Sequence, residues 1–215
     1  MREINRIYNE DCFETMRNME EHSVDVIMTS PFYNTNVKAG NKTLLDKGKS
    51  EKYIRYDTIV DNLTDEEYSK FTVDLFNLYD RVLKPNGCII YNISYGQYGA
   101  DAMIDAIFQV SKQTNFTVAD MIAWKKKTAM PNNTSPNKLT RIWEPVFIFC
   151  RKDEFYTYAS NKREVSKRAT GQSVFENIYN FVEAKNNDEQ CPYNKATYST
   201  ELCQKLLKIY CPDGG

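Results

Sequence analysis

The sequence predicts an α/β layered domain. Short apolar runs suit buried strands, and amphipathic stretches between them suit helices. A length of 215 residues suffices for one core and is short for two. Ile4–Tyr8 reads as a short strand ending at Asn9-Glu10-Asp11, and Phe13–Glu21 as a helix. Val24–Met28 is a compact apolar run, hence a buried strand. Residues 34–63 are polar, with Gly40, Gly48 and several lysines, and read as a long mobile loop. Thr64-Asp65-Glu66-Glu67 is a capping box opening a helix whose face carries Phe71, Leu75, Leu78 and Val82. Lys84-Pro85-Asn86-Gly87 stops that helix and turns the chain. Strands follow at Cys88–Ser94, Phe116–Trp124 and Pro145–Cys150, with a helix over Ala100–Lys112 and a Pro/Asn-rich loop over residues 128–140. Residues 151–190 show no clear period. Thr200–Tyr210 is a helix with Leu202, Leu206, Leu207 and Tyr210 on one side.

Composition excludes several classes. No run of about 18 apolar residues exists to cross a membrane, and the N-terminus lacks the apolar core of a signal peptide. These features suit a cytoplasmic protein. Six cysteines occur without a C-x-x-C pair and with one histidine, His22, so free thiols are expected and a zinc site is not. No G-x-G-x-x-G occurs among the 8 glycines. The net charge of −1 hides an asymmetry. Lys112–Gly171 holds 12 Lys/Arg against 5 Asp/Glu, and the remainder holds 16 against 24. A basic middle suits a polyanion, and equally a solvated face.

The informative stretch is Val24–Asn34, VDVIMTSPFYN. A buried strand delivers Ser30-Pro31-Phe32-Tyr33 at its carboxyl end, where open α/β sheets bind ligands. Ser30 Oγ and the Pro31 carbonyl can accept hydrogen bonds from an amino group, and Tyr33 can stack on a ring. An ordinary strand-to-loop turn with a packed aromatic accounts for the same four residues.

TSPFYNT resembles the (D/N/S)-P-P-(Y/F) signature of the amino-group DNA methyltransferases. IYNEDCFETMRNMEEHSVDVIMTSPFYN is similar to the opening of that family's permuted β group. DEEYSKFTVDLFNLYDRVLKPNGCIIYNIS resembles the helix-turn-strand that follows. FTVADMIAWKKK and TRIWEPVFIFCRK resemble the strands flanking the target-recognition region, and NKATYSTELCQKLLKIYCPDGG the segment before the cofactor's glycine loop. The resemblance implies a Rossmann-like fold and methyl transfer from S-adenosylmethionine to the N6 of adenine or the N4 of cytosine in double-stranded DNA. The target base is flipped into a pocket. Ser30 and Pro31 would hold the amino group and Tyr33 would stack on the base, with no covalent intermediate and no metal. Asp11 and Cys12 would contact the cofactor's adenine; a turn or helix-capping Asp11 is the alternative. Lys195 and Thr197 would lie along the cofactor. Lys125, Lys126, Lys127, Lys138 and Arg141 would face phosphates; for Arg141 and Trp143, bracing of the fold is the alternative. Residues 151–190 would read sequence. A restriction endonuclease system is an implied partner.

Three departures accompany the resemblance. Phe32 replaces the second proline, which softens the acceptor geometry and puts a bulky ring at the base pocket. The segment before the last helix reads Asn194-Lys195 and Tyr198-Ser199 in place of proline-containing pairs. The chain stops at Gly215, ahead of the glycine loop and the strands that would neighbour Val24–Met28. On this reading the domain is C-terminally truncated and inactive alone; a DNA-binding remnant and one half of a split enzyme are the other readings.

Overall fold

The structure is a computed structural model that describes residues 5–34, 63–95, 99–129, 131–133, 135–188 and 197–215. In chain order the elements are α1 (Cys12–Arg17), β1 (Val24–Thr29), α2 (Asp65–Val82), β2 (Leu83–Asn92), α3 (Asp101–Gln113), β3 (Phe116–Lys126), β4 (Trp143–Arg151), a 3-10 turn (Lys152–Glu154), β5 (Glu164–Lys167), β6 (Ser173–Phe175), β7 (Phe181–Ala184) and α4 (Thr200–Tyr210). Five strands form a mixed sheet in the order β1-β2-β4-β3-β7, and β5-β6 form a separate ribbon. β1 and β2 are parallel, β4 runs antiparallel to both β2 and β3, and β7 is parallel to β3.

The alternation of β2 shows why its sequence is a continuous apolar run. Ile89 and Tyr91 enter one core cluster with Tyr68, Phe76, Tyr79 and Val82 of α2 and Ala106 and Val110 of α3. Cys88 and Ile90 enter a second cluster with Leu202, Leu206 and Tyr210 of α4. The sheet is thus buried on both faces, and only an all-apolar central strand satisfies both. At the centre of the first cluster, the ring of Phe76 meets those of Phe149, Tyr91, Tyr79 and Phe116 at centroid distances of 4.8, 5.2, 5.3 and 5.7 Å.

The helix signals hold. Thr64 caps α2, and Glu67 returns the bond to the Thr64 backbone N–H at 2.9 Å. The turn expected at residues 84–87 exists, but as a bulge inside β2: Val24 pairs with Leu83 and Val26 with Cys88, so the intervening residues loop out. Asn86 takes the left-handed conformation there, and a Cβ on Gly87 would lie 2.7 Å from the Asp25 carbonyl oxygen. Arg151 ties this corner together. Its guanidinium donates to Asp80 Oδ1 at 2.5 Å and to the carbonyls of Asp80, Leu83 and Lys84 at 2.8, 2.8 and 3.0 Å.

Several expectations are corrected. Ile4 lies outside the described residues; residues 5–8 form no strand, Ile7 is fully exposed, and among the described residues no strand pairs with them. α1 stops at Arg17, where the Asn18 side chain turns back to bond the Glu14 carbonyl and competes with further helix. Residues 151–190 contain three short strands that no periodicity announces, because β5 is wholly exposed and β7 is held by pairing with β3. The long loop lies outside the described residues apart from its ends. Cys12, Cys88, Cys150, Cys203 and Cys211 are free thiols, and Cys191 lies outside the described residues.

The three consecutive lysines at the end of β3 and just past it are ion-paired. Lys125 meets Glu183 of β7 at 3.0 Å, Lys126 meets Glu144 of β4, and Lys127 meets Glu201 of α4 at 2.8 Å. Successive strand residues point to opposite faces, so each lysine finds a different acid. These pairs cross-link strands and helix. Glu201 also accepts from Lys205 at 2.9 Å and from the Lys185 backbone N–H at 3.0 Å. These donors, Lys127 first, pull its carboxyl down to about 2.

Two outcomes follow for stability. Phe76→Ala should cost about 3–5 kcal/mol, the range for deleting a buried aromatic, read as a lowered urea midpoint. Glu201 has a lower pKa folded than unfolded, so the unfolded chain binds the extra proton and stability rises with pH across that interval. Its contribution is present above about pH 4.5 and is lost as pH falls toward about 2. Thermal melts of Glu201→Gln should show a flatter acid limb than the parent; an identical limb would rule this out.

Candidate functional site

The carboxyl ends of β1 and β2 lie side by side, with Thr29 opposite Tyr91 in the register. Thr29 is followed by Ser30 and Tyr91 by Asn92, so two apolar strands each end in a polar side chain at the same edge. The Ser30 hydroxyl, exposed, donates to Tyr33 Oη at 2.9 Å. Tyr33 Oη donates to Asn92 Oδ1 at 2.8 Å. Asn92 Nδ2 donates to the Pro145 carbonyl of β4 at 2.9 Å. A chain of hydrogen bonds therefore runs from the exposed serine into the sheet.

Phe32 turns away from this group. Its ring packs on Phe71 at 5.0 Å and Tyr68 at 5.4 Å, and its carbonyl accepts from the Tyr68 hydroxyl at 2.7 Å. This corrects the expectation that its bulk enters the base pocket: an apolar side chain beside an aromatic cluster is stabilised by burial there. Asn34, in the left-handed conformation and buried, donates to the Leu63 carbonyl at 2.9 Å. That bond joins the two ends of the long intervening segment.

Tyr198 completes the edge. Its hydroxyl donates to the Thr29 carbonyl at 3.1 Å. Burial first, and then nearby Tyr33, raise its pKa far above the ordinary phenol value, while the Ser30 side chain opposes them. Tyr198 is thus a neutral donor beside Ser30, and Thr197 is its exposed chain neighbour.

Asp11 caps α1: Oδ1 accepts from the Phe13 and Glu14 backbone N–H groups at 2.8 and 3.2 Å. The cap leaves Oδ2 unused. Phe13, next to Cys12, packs on Phe71 at 5.4 Å, and Phe71 packs on Phe32 at 5.0 Å, so the start of α1 lies near the segment that leaves β1. Burial pushes the Cys12 thiol up, and the Asp11 charge adds to this. Burial likewise pushes Cys88 up to about 12 and Cys150 up to about 11, so these thiols are protonated at neutral pH. Among the described residues, no cluster of three or more His, Cys, Asp or Glu could hold a metal.

The structure brings Ser30, Pro31, Tyr33 and the Asp11-Cys12 turn to one edge with Thr197. Lys195 lies outside the described residues. Lys138 and Arg141 lie in the exposed loop before β4, and Arg141 donates to the Tyr95 carbonyl with its guanidinium 4.7 Å above the Tyr95 ring. The sequence reading missed Asn92 and the contact of Tyr198 with β1. A signal for Asn92 was present: a polar residue ends the apolar run Cys88–Tyr91, as Ser30 ends its own.

The fold resembles that of the PvuII DNA methyltransferase (cytosine-N4-specific), with a TM-score of 0.64 at 15% identity over 95% of this chain and 70% of that one. It also resembles M1.HpyAVI, with a TM-score of 0.52 at 17% identity over 95% and 75%. In sequence it is 22% identical to the type II methyltransferase M.BglII of Bacillus subtilis, over 95% of this chain and 56% of that protein. It is 25% identical to M.MwoI of Methanothermobacter wolfeii over 67% of this chain and 20% of that protein. The chain thus spans at most about half the length of these curated relatives. The sequence profile of the DNA methylases matches residues 24–215, from the first residue of β1 onward, and the chain belongs to that family.

Proposed function

We propose that this chain carries the target-base pocket of an S-adenosylmethionine-dependent DNA methyltransferase that modifies the N6 of adenine or the N4 of cytosine in double-stranded DNA. The carrying observation is the exposed Ser30 hydroxyl at the end of β1, whose hydrogen is committed to Tyr33. Its lone pairs are left to accept from a ligand N–H. The Pro31 carbonyl, next in the chain, is the second acceptor. An exocyclic amino nitrogen is a weak nucleophile because its lone pair conjugates with the ring. Two acceptors that draw its hydrogens out of the ring plane return that lone pair to the nitrogen, and positioning supplies much of the rest. Tyr33 stacks on the extruded base with its ring pinned through its own hydroxyl.

The residues fit the cofactor. Asp11 Oδ2, outside the cap, accepts from an adenine amino group, and Cys12 and Thr197 flank it near the same end of β1. S-adenosylmethionine supplies an electrophilic methyl group on a sulfonium. Lys195 is a further candidate contact. Lys138 and Arg141 contact phosphates, and residues 151–190, with the β5-β6 ribbon, read sequence in a groove wide enough for a two-stranded ribbon. A restriction endonuclease of the same specificity is the natural companion of such an activity.

The complete gene, expressed in a host free of DNA methylation, should place N6-methyldeoxyadenosine or N4-methyldeoxycytidine in the DNA, read by mass spectrometry of nucleosides. Neither product, from folded protein, would overturn the reading. Ser30→Ala should reduce kcat/KM by about 1–3 kcal/mol, the value of one hydrogen bond to the target. Unchanged turnover would remove Ser30 from the pocket.

A further inference from the structure

The direction of every hydrogen bond behind Ser30 follows from one backbone carbonyl. The Pro145 oxygen can only accept, so the end of the Asn92 amide that faces it must be Nδ2. The opposite end, Oδ1, bears no hydrogen, so Tyr33 must donate to it. With its one hydrogen spent, Tyr33 Oη can only accept from Ser30, and Tyr198 Oη beside Ser30, whose hydrogen goes to the Thr29 carbonyl, is likewise only an acceptor toward it. Ser30 therefore turns its hydrogen inward and presents lone pairs outward. Had Asn92 been a donor toward Tyr33, both hydroxyls would turn round and Ser30 would offer a hydrogen to the pocket. A serine hydroxyl has no intrinsic polarity, so a neighbour has to supply it.

We propose that Asn92 is a positioning residue: held by the Pro145 carbonyl, it orders the Tyr33 and Ser30 hydroxyls so that the pocket accepts an amino group and rejects a carbonyl in the same place. The assignment rests on the base-pocket reading above. It separates the amino bases adenine and cytosine from hypoxanthine and uracil, in which that group is an oxygen.

The test is binding of the complete protein, with S-adenosylmethionine present, to duplexes bearing the site mapped by the nucleoside assay. The target is either the amino base or its oxo counterpart. The parent should favour the amino base by about tenfold, one hydrogen bond's worth. Asn92→Leu loses both bonds, whereas the buried carboxyl of Asn92→Asp takes up a proton and can donate to the Pro145 carbonyl in place of Nδ2. Only Asn92→Asp keeps an acceptor toward Tyr33. It should keep the preference, whereas Asn92→Leu should lose it, with overall DNA affinity changing less than the ratio. Equal ratios in the two variants would overturn the role of Asn92. A parent with no preference would instead overturn the base-pocket reading itself. Tyr33→Phe combined with Tyr198→Phe is the second variant: removing both acceptors of the Ser30 hydrogen should also abolish the preference while Asn92 and its bond to Pro145 remain, and a preserved ratio counts against the ordering.

Discussion

One amide holds three parts of the chain in register at the functional edge. Asn92 ends β2, donates to Pro145 near the start of β4, and accepts from Tyr33 in the segment leaving β1. The backbone beyond β1 has left the sheet and has no ladder to fix it. Its position depends on side-chain bonds: Tyr33 to Asn92, Tyr68 to the Phe32 carbonyl, and Tyr198 to the Thr29 carbonyl. These three tyrosines come from the segment itself, from α2 and from the approach to α4. Satisfying carbonyls and hydroxyls at a half-buried edge is obligatory, because an unpaired one costs about 1–3 kcal/mol. The same bonds that meet this requirement fix the side chains around Ser30.

Behind that edge, stability comes from a sheet covered on both faces. α2 and α3 bury one face and α4 contributes to the other, with β2 supplying side chains to both clusters. Arg151 closes the far corner, where β4 ends, α2 ends and β2 begins. Its five-donor fork suits several carbonyls and a carboxylate at once, which a lysine would not match. The rigid end of the sheet is thus set by an arginine and the functional end by tyrosines and an asparagine.

Charge behaves differently in the sequence and in the fold. The basic middle segment is read most simply as a surface for a polyanion. Much of that charge is spent internally: Lys125, Lys126 and Lys127 on acids of three different elements, Arg151 on Asp80, and Arg163 on Glu176 at 3.1 Å. The partners lie between 13 and 74 residues away, so counting along the chain cannot see them. Electrostatics reports a partner only once the fold has shown which charges are already paired.

The α2 capping box, the apolar β2, the amphipathic α4 and the polar turn Ser30-Pro31-Phe32-Tyr33 that ends β1 were legible because their signals are local: a hydrogen bond three residues away, or a repeat along one element. Asp11 was legible only as two alternatives, and its cap is what the structure shows. The fate of Phe32, the short strands after residue 151 and the pairing of the lysines were not legible. Each depends on what lies across the sheet or on the next helix. By itself the sequence determined the element types and the residues that end β1. The tertiary structure decided which way the Ser30 hydroxyl points, because that is set by the Pro145 carbonyl, delivered to the site by a strand more than a hundred residues later.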